Sequence, residues 1–483
     1  MSSKNILIHK LSWKLLILSK GRWYIFSSLF TKGLSILLVP IYTRYLSPAD
    51  FGILNILNSI GQFLPIIISL YIDSAFGRYF HEDKIDHSQL KKLFSTSYWF
   101  VAIYGGFVIT LALIASSVWA EELERMPFSY LLLTFIPALL IQLGQLGTVY
   151  LRQSLDSQRS TLLEVGAAIL SIGVTIPLLV FFNAGIMAKL IGGTVSSFSV
   201  FFYYTVFFWR RDLFRFEFDF HVLKRSLMYS TPLLPSIAGG WISGMSDRLI
   251  LAKYASVESV GVYSLAASLA TILYVLQDAV TQVTGPIAMS GLIHDYQATL
   301  KKIARLSLVL WATMLFADFT LILFSKEIIY IFATKAYSGA APLIGICAFA
   351  YVISPQYRIF IDVLSYHKKM SIVAIAGILS AIVSVALNIF LIPRYGYFAT
   401  AWAFVISTGV MTAWIICWSK YYESIPVLWG KCALLTALFL IASGLMGQIS
   451  AISIEIIFIK ILSAFLFLGA VFYIVNYKKL DNL

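Results

Sequence analysis

Charge is scarce in this chain. Only 12% of its 483 residues are Asp, Glu, Lys or Arg, against about 25% in ordinary soluble domains. With 59% hydrophobic residues there is too little polar surface to cover a globule in water, so a soluble fold is excluded and lipid remains as the solvent for most of the chain. Cysteine is nearly missing. Cys347, Cys417 and Cys432 lie in apolar stretches and form no CxxC pair, which argues against a disulfide framework or a zinc site. Six histidines are scattered outside the apolar runs, so neither a metal centre nor a cofactor is expected. Acid is scarcer than base, 23 residues against 36, for a formal net charge of +13. Nucleic acid is not the expected partner, because most of the basic residues lie in loops between apolar spans, where they set membrane topology.

Long hydrophobic runs are what the chain has in abundance. A hydrocarbon layer about 30 Å thick needs about 20 apolar residues per helix. Runs of that length fall near 22–42, 51–72, 93–119, 128–150, 161–182, 186–209, 228–248, 260–283, 303–324, 340–362, 370–392, 397–418, 428–448 and 454–475. The fold class is therefore all-α, a polytopic membrane protein with about fourteen spans (numbered here in chain order). An even count puts both termini on one side. Assigning that side to the cytoplasm keeps 26 of the 36 basic residues there, among them Lys4, Lys10, Arg152, Arg210, Arg211, Lys301, Lys302 and Lys479, as the positive-inside rule requires. Residues 1–21 read as a basic cytoplasmic arm, with no signal-peptide core or cleavage site.

A weak repeat runs through the chain. Arg44-Tyr45-Leu46-Ser47 and Gly52 correspond to Lys253-Tyr254-Ala255-Ser256 and Gly261. Leu90-Lys91-Lys92 corresponds to Leu300-Lys301-Lys302, and Gly185, Ala188 and Ser196 to Gly396, Ala399 and Ser407. The unit contains six spans, an even number, so the halves are parallel repeats about an axis along the membrane normal, an arrangement that in transporters puts the substrate site between them. The expected organisation is a six-helix bundle at 22–209, a cytoplasmic linker at 210–227, a second six-helix bundle at 228–418, and two extra helices with a tail at 419–483. Pro40, Pro65, Pro137, Pro177, Pro232, Pro235 and Pro355 fall in or beside spans and would kink them.

Three stretches carry a family likeness: Leu38-Val39-Pro40-Ile41-Tyr42-Thr43-Arg44-Tyr45-Leu46-Ser47-Pro48-Ala49-Asp50-Phe51-Gly52, Leu70-Tyr71-Ile72-Asp73-Ser74-Ala75-Phe76-Gly77-Arg78-Tyr79-Phe80, and Asn388-Ile389-Phe390-Leu391-Ile392-Pro393-Arg394-Tyr395-Gly396. In order and spacing the chain resembles the bacterial polysaccharide flippases, the O-antigen and capsule repeat-unit translocases of the multidrug/oligosaccharidyl-lipid/polysaccharide exporter superfamily. The resemblance implies a cavity lined by spans 1, 2, 7 and 8. It also implies an undecaprenyl-diphosphate-linked oligosaccharide as cargo, moved from the cytoplasmic to the periplasmic leaflet of the inner membrane by ion-coupled alternating access. Polysaccharide polymerase and chain-length regulator proteins are the partners that go with such a role.

Ionisable residues inside apolar spans are costly and normally face a cavity or a partner. Lys32 falls near the middle of span 1, Asp73 and Arg78 at the end of span 2, Asp247 and Arg248 at the end of span 7, Asp278 late in span 8 and Asp318 in span 9. Lys32, Arg78 and Arg248 could offset the charge of a diphosphate. Asp73, Asp247, Asp278 and Asp318 could couple an ion or act as gates. Asn55, Asn58, Gln62, Trp241 and Tyr274 could meet sugar hydroxyls. Each has a plainer reading as a locally paired or snorkelling side chain. An enzyme is not expected, since no loop carries catalytic spacing. The rival functions are a multidrug exporter, whose family usually puts an acid in span 1 where this chain has Lys32, and a lipid II flippase.

Overall fold

The computed structural model describes residues 23, 26–27, 30–80, 87–119, 126–367, 369–423, 425–446 and 454–476. The basic arm expected at 1–21 lies outside them. Twelve helices among the described residues are long and apolar enough to cross a membrane. In chain order the helices are α1 (residues 30–45), α2 (Pro48–Ser69), α3 (His87–Phe100, continuing through a π turn at Val101–Gly105 into Gly106–Trp119), α4 (Phe128–Gln153), α5 (Ser157–Val180), α6 (Ile186–Arg210), α7 (Leu234–Tyr254), α8 (Val257–His294), α9 (Tyr296–Leu323), α10 (Ala341–Tyr366), α11 (Met370–Tyr395), α12 (Tyr397–Tyr422), α13 (Trp429–Met446) and α14 (Ile454–Asn476). The two outside the twelve are α1, whose start is not described, and α7. Gly239, Gly240, Gly244, Ser243, Ser246, Asp247 and Arg248 dilute the apolar character of α7. The protein is therefore a multi-pass membrane protein.

Local sequence sets the helix ends. Ser47 and Asp50 form a reciprocal cap at the start of α2: the Asp50 amide donates to Ser47 Oγ at 3.2 Å and the Ser47 amide to Asp50 Oδ2 at 3.1 Å. Ser256 caps α8 by accepting from the Ser259 amide at 3.1 Å, and Asp156 and Asp295 cap α5 and α9.

The repeat is visible in the backbone. Gly185 before α6 and Gly396 before α12 adopt φ 54°, ψ −134° and φ 56°, ψ −139°, a region open essentially to glycine alone. Gly52 and Gly261 form a reciprocal pair. A Cβ on Gly52 would collide with the Val257 carbonyl that opens α8, and one on Gly261 with the Pro48 carbonyl that opens α2. Packing follows the same scheme: α4 and α5 pack on α6, as α10 and α11 pack on α12.

By contact the chain forms two compact units. The first comprises residues up to Ser35 and Ile56–Ala238; the second comprises Ile36–Asn55 and Gly239–Leu483. The junction of α1 and α2 belongs to the second unit. Besides the glycine pair, Thr43 Oγ1 donates to the Phe332 carbonyl and Tyr337 OH to the Leu46 carbonyl at 3.0 Å.

Three stretches depart from the sequence expectation. α2 stops at Ser69 because Leu70 and Tyr71 take positive φ values of 47° and 58°, and a separate helix, Ile72–Tyr79, follows. α7 begins at Leu234 rather than near 228, after an amphipathic helix Phe220–Ser230 and a 3-10 turn at Thr231–Leu233, where Pro232 cannot supply a backbone donor. The preceding segment is strapped to α3 of the first unit. Lys91 Nζ meets Asp212 Oδ2 at 2.6 Å, Trp99 Nε1 donates to the Arg215 carbonyl at 2.8 Å, and the Asp219 amide donates to Thr96 Oγ1 at 3.1 Å.

The helices outside the repeat dock on α9. Trp311 Nε1 donates to Thr436 Oγ1 of α13 at 3.0 Å, and Phe319 meets Phe467 of α14 with ring centroids 4.4 Å apart. Lys460 of α14, almost fully buried, pairs with Glu327 at 2.7 Å on the short helix Ser325–Phe332. Removing one member of such a pair strands a buried charge, so the contact fixes the depth of α14.

Candidate functional site

In the first unit, α2, α4 and α6 enclose a cavity of about 280 Å³ lined by Asn58, Gln62, Thr134, Lys189 and Ser197 among apolar neighbours. Asn58 and Gln62 are exposed and lie four residues apart on one face of α2. Lys189 enters three residues after the start of α6. Among the described residues it is the single ionisable one in the lining, and sequence reasoning passed it over. The signal was present: a lysine within an apolar span.

Lys32, half-buried on α1, belongs to the same unit. There Ser27 donates to Glu164 Oε2 of α5 at 2.6 Å. Asp73 is buried in the first turn of the helix Ile72–Tyr79 and accepts from Gln142 Nε2 at 3.3 Å. Burial raises its carboxyl above the ordinary value, offset in part by its own backbone amide and by Gln142. Arg78, in the last turn of that helix, is exposed.

The second unit treats its charges differently. Asp247 and Arg248 do not close α7, as the sequence suggested; the helix runs on to Tyr254, so the pair sits well inside it. Arg248 Nη1 contacts Asp247 Oδ1 at 2.9 Å, with side-chain exposures of 13% and 6%. Tyr263 of α8 donates its hydroxyl to Asp247 Oδ2 at 2.6 Å, and Arg248 also donates to the Gly244 carbonyl at 2.9 Å. The result is a closed, mutually satisfied cluster. Asp318 of α9 is the reverse. It is completely buried, and neither carboxylate oxygen has a hydrogen-bond partner among the described residues.

Of the remaining predicted residues, Asn55 donates to the Phe51 carbonyl of its own helix at 2.8 Å. Trp241 and Asp278 are half-buried, and Tyr274 is exposed with its ring 5.8 Å from Tyr351. Asn55, Trp241, Asp247, Arg248, Tyr274, Asp278 and Asp318 belong to the second unit; Lys32, Asn58, Gln62, Asp73 and Arg78 belong to the first. A second cavity, about 180 Å³, lies in the second unit among α8, α9 and α10 and is lined by Thr281, Thr284, Arg358 and Asp362. Sequence reasoning also missed this cavity and Lys460.

The family model for polysaccharide biosynthesis protein matches residues 17–290, more than half of the chain. The chain belongs to that family. A protein of the Lsg locus of Haemophilus influenzae is 22% identical over 373 residues, covering 75% of this chain and 88% of the relative. An uncharacterized membrane protein of the same organism is 22% identical over 364 residues, 74% and 86% of the two chains. Among solved structures, the inward closed conformation of the lipid II flippase MurJ superposes with a TM-score of 0.64 at 16% identity, over 94% of this chain and 99% of that one. An inward-facing multidrug resistance MATE family transporter of the MOP superfamily gives 0.62 at 16% identity, over 81% and 94%. At such identities the likeness is one of fold. The polysaccharide family expected from the sequence motifs is thus found, and the solved structures share its fold.

Proposed function

We propose that this protein is a flippase that carries an undecaprenyl-diphosphate-linked oligosaccharide, an O-antigen or other surface-polysaccharide repeat unit, from the cytoplasmic to the periplasmic leaflet of the inner membrane by alternating access. Both termini are cytoplasmic in this reading. The observation that carries it is a choice of charge: within a chain of the polysaccharide family, α1 holds Lys32 and no acid. A lysine in a low-dielectric span offsets the cost of bringing a diphosphate out of water. Arg78 and Arg248 are the further cations in this reading, and Asn55, Asn58, Gln62, Trp241 and Tyr274 serve sugar hydroxyls. Asp318 is the favoured coupling residue among the acids, since a proton or sodium ion would relieve a buried carboxylate that has no hydrogen-bond partner among the described residues; Asp73, Asp247 and Asp278 are the others. A polymerase and a chain-length regulator would take the product.

Deleting the gene in its native background is expected to remove surface polysaccharide and leave drug sensitivity unchanged; intact polysaccharide overturns the reading. Lys32→Ala is expected to abolish export with normal membrane insertion, and Lys32→Arg to keep part of it. Full export by Lys32→Ala removes Lys32 from the site.

A further inference from the structure

The segment that joins α6 to the helix Phe220–Ser230 alternates in chemistry. Phe214, Phe216, Phe218 and Phe220 recur at every second residue, between Leu213, Arg215, Glu217 and Asp219. Its backbone is tied to α3. Leu213 is buried and its carbonyl accepts from Ser95 Oγ at 3.1 Å, the Arg215 carbonyl accepts from Trp99 Nε1, and the Asp219 amide donates to Thr96 Oγ1. The aromatic side stays uncovered. Phe216 is 78% exposed, Phe220 72%, and Trp209, in the last turn of α6, 71%. Rings link them into a shelf: Phe214 lies 6.3 Å from Trp209 and 4.9 Å from Tyr98, and Phe216 lies 4.8 Å from Trp99.

Position and charge narrow what covers this shelf. α6 is one of the membrane-crossing helices and ends on Trp209 and Arg210, so the shelf begins where the hydrocarbon layer ends, the level at which tryptophan and other aromatics settle. Residues 209–225 hold five basic residues, Arg210, Arg211, Arg215, Lys224 and Arg225, against three acids. Lys91 of α3 already neutralises Asp212 at 2.6 Å, which also has Arg215 Nε at 3.6 Å, and Asp219 is turned onto the amides of His221 and Val222. A second copy meeting this shelf about a two-fold axis would bring the same excess of positive charge and be repelled. A zwitterionic headgroup offers no net charge to match that excess, and an anionic one does.

We propose that residues 209–225 are an interfacial anchor that lies in the headgroup layer at this end of α6 and gathers anionic phospholipid. Trp209, Phe216 and Phe220 enter the acyl boundary, and Arg210, Arg215 and Lys224 meet the headgroup phosphates. The anchor is separate from the transported cargo and holds whichever leaflet this end of α6 faces.

The test reads the lipid composition beside the segment. In the full chain carrying Cys417→Ser, Cys347 and Cys432 are buried, so Phe218→Cys accepts one NBD fluorophore. The protein is reconstituted in phosphatidylcholine vesicles that contain the same small fraction of either 5-doxyl phosphatidylglycerol or 5-doxyl phosphatidylcholine, whose nitroxides quench NBD at close range. The anionic quencher is expected to be about threefold more effective, because each basic residue near the surface favours anionic lipid. At about 1 M salt, where charges are screened within about 3 Å, the ratio should fall toward one. Arg210→Gln with Arg215→Gln and Lys224→Gln should do the same at low salt and leave quenching by the neutral lipid in place. Trp209→Ser with Phe216→Ser should lower quenching by both lipids.

Equal quenching by the two lipids with the native basic residues present overturns the anionic selection. A preference that survives the triple substitution overturns its assignment to those residues. A fluorophore that neither lipid quenches means that protein covers the shelf, a second copy or another partner, and overturns the anchor. If Phe218→Cys does not fold, His221→Cys, exposed on the adjoining helix, carries the fluorophore with the same expected outcomes.

Discussion

Two buried carboxylates in the same unit meet opposite fates. Asp247 on α7 is held by Arg248, by the Tyr263 hydroxyl and by the amide of the residue that follows it. Asp318 on α9 is more deeply buried and has no hydrogen-bond partner among the described residues. A satisfied cluster resists change, because any substitution strands a partner. An unsatisfied carboxylate can be lost without stranding anything. The contrast separates a charge that holds the fold from one left available for a proton or cation.

The largest expected effect follows from breaking the satisfied cluster. Asp247→Ala leaves the Arg248 guanidinium buried without its counter-ion and should destabilise the protein by about 3–5 kcal/mol, read as denaturant unfolding in mixed micelles. Removing both charges together, Asp247→Asn with Arg248→Met, should recover most of that loss, since replacing a whole buried pair is often neutral. A double variant as unstable as the single one would mean that packing, not charge, sets the cost.

Asp318 should behave differently. Asp318→Asn is expected to change stability by no more than about 1 kcal/mol, while flattening the dependence of export on the imposed ion gradient. Export of Asp318→Asn that still responds fully to the gradient removes Asp318 from coupling. A stability loss equal to that of Asp247→Ala would erase the contrast altogether.

The smallest effect concerns the exposed acids of the strap on α3. A hydrogen bond from Lys91 holds the Asp212 carboxyl below its usual value, and the amides of Val222 and His221 do the same for Asp219. A depressed carboxyl stabilises the folded state above its unfolded pKa, and that contribution is lost as pH falls through the folded value. Hydrogen exchange of residues 212–223, corrected for intrinsic rate, should therefore rise only as pH drops below about 4. Asp73 has the opposite sign. Its raised carboxyl favours the folded state most at low pH, and that contribution falls as pH rises from the ordinary carboxylate value through the raised one. Increased exchange of the strap already near neutral pH would show that its acids do not hold it.

Fold class was legible because lipid demands a simple pattern. Apolar runs of about 20 residues mark the spans whatever they pack against, and lysines and arginines between them mark the loops. The repeat was legible at Gly52 and Gly261, and at Gly185 and Gly396, because a close helix crossing and a positive φ each leave glycine as the residue that fits. The candidate site was legible only in pieces. Asn58 and Gln62 were chosen as sugar contacts from residue type, yet Lys189, the cation that shares their cavity, was not. The residues belong to α2 and α6, and nothing local ties positions 62 and 189 together.

By itself the sequence determined that this chain lives in lipid, that it crosses many times, and where its halves echo one another, because each follows from patterns local to a helix or a loop. Tertiary structure decided which of the sparse charges are satisfied. Asp247 and Asp318 are each an acid in an apolar helix; Arg248 already stands beside Asp247 in the chain, but the Tyr263 hydroxyl that completes its cluster comes from another helix, and only packing shows that Asp318 meets no such partner among the described residues. Partner choice for a buried charge is a matter of a few ångströms across helices, and such distances are set by packing.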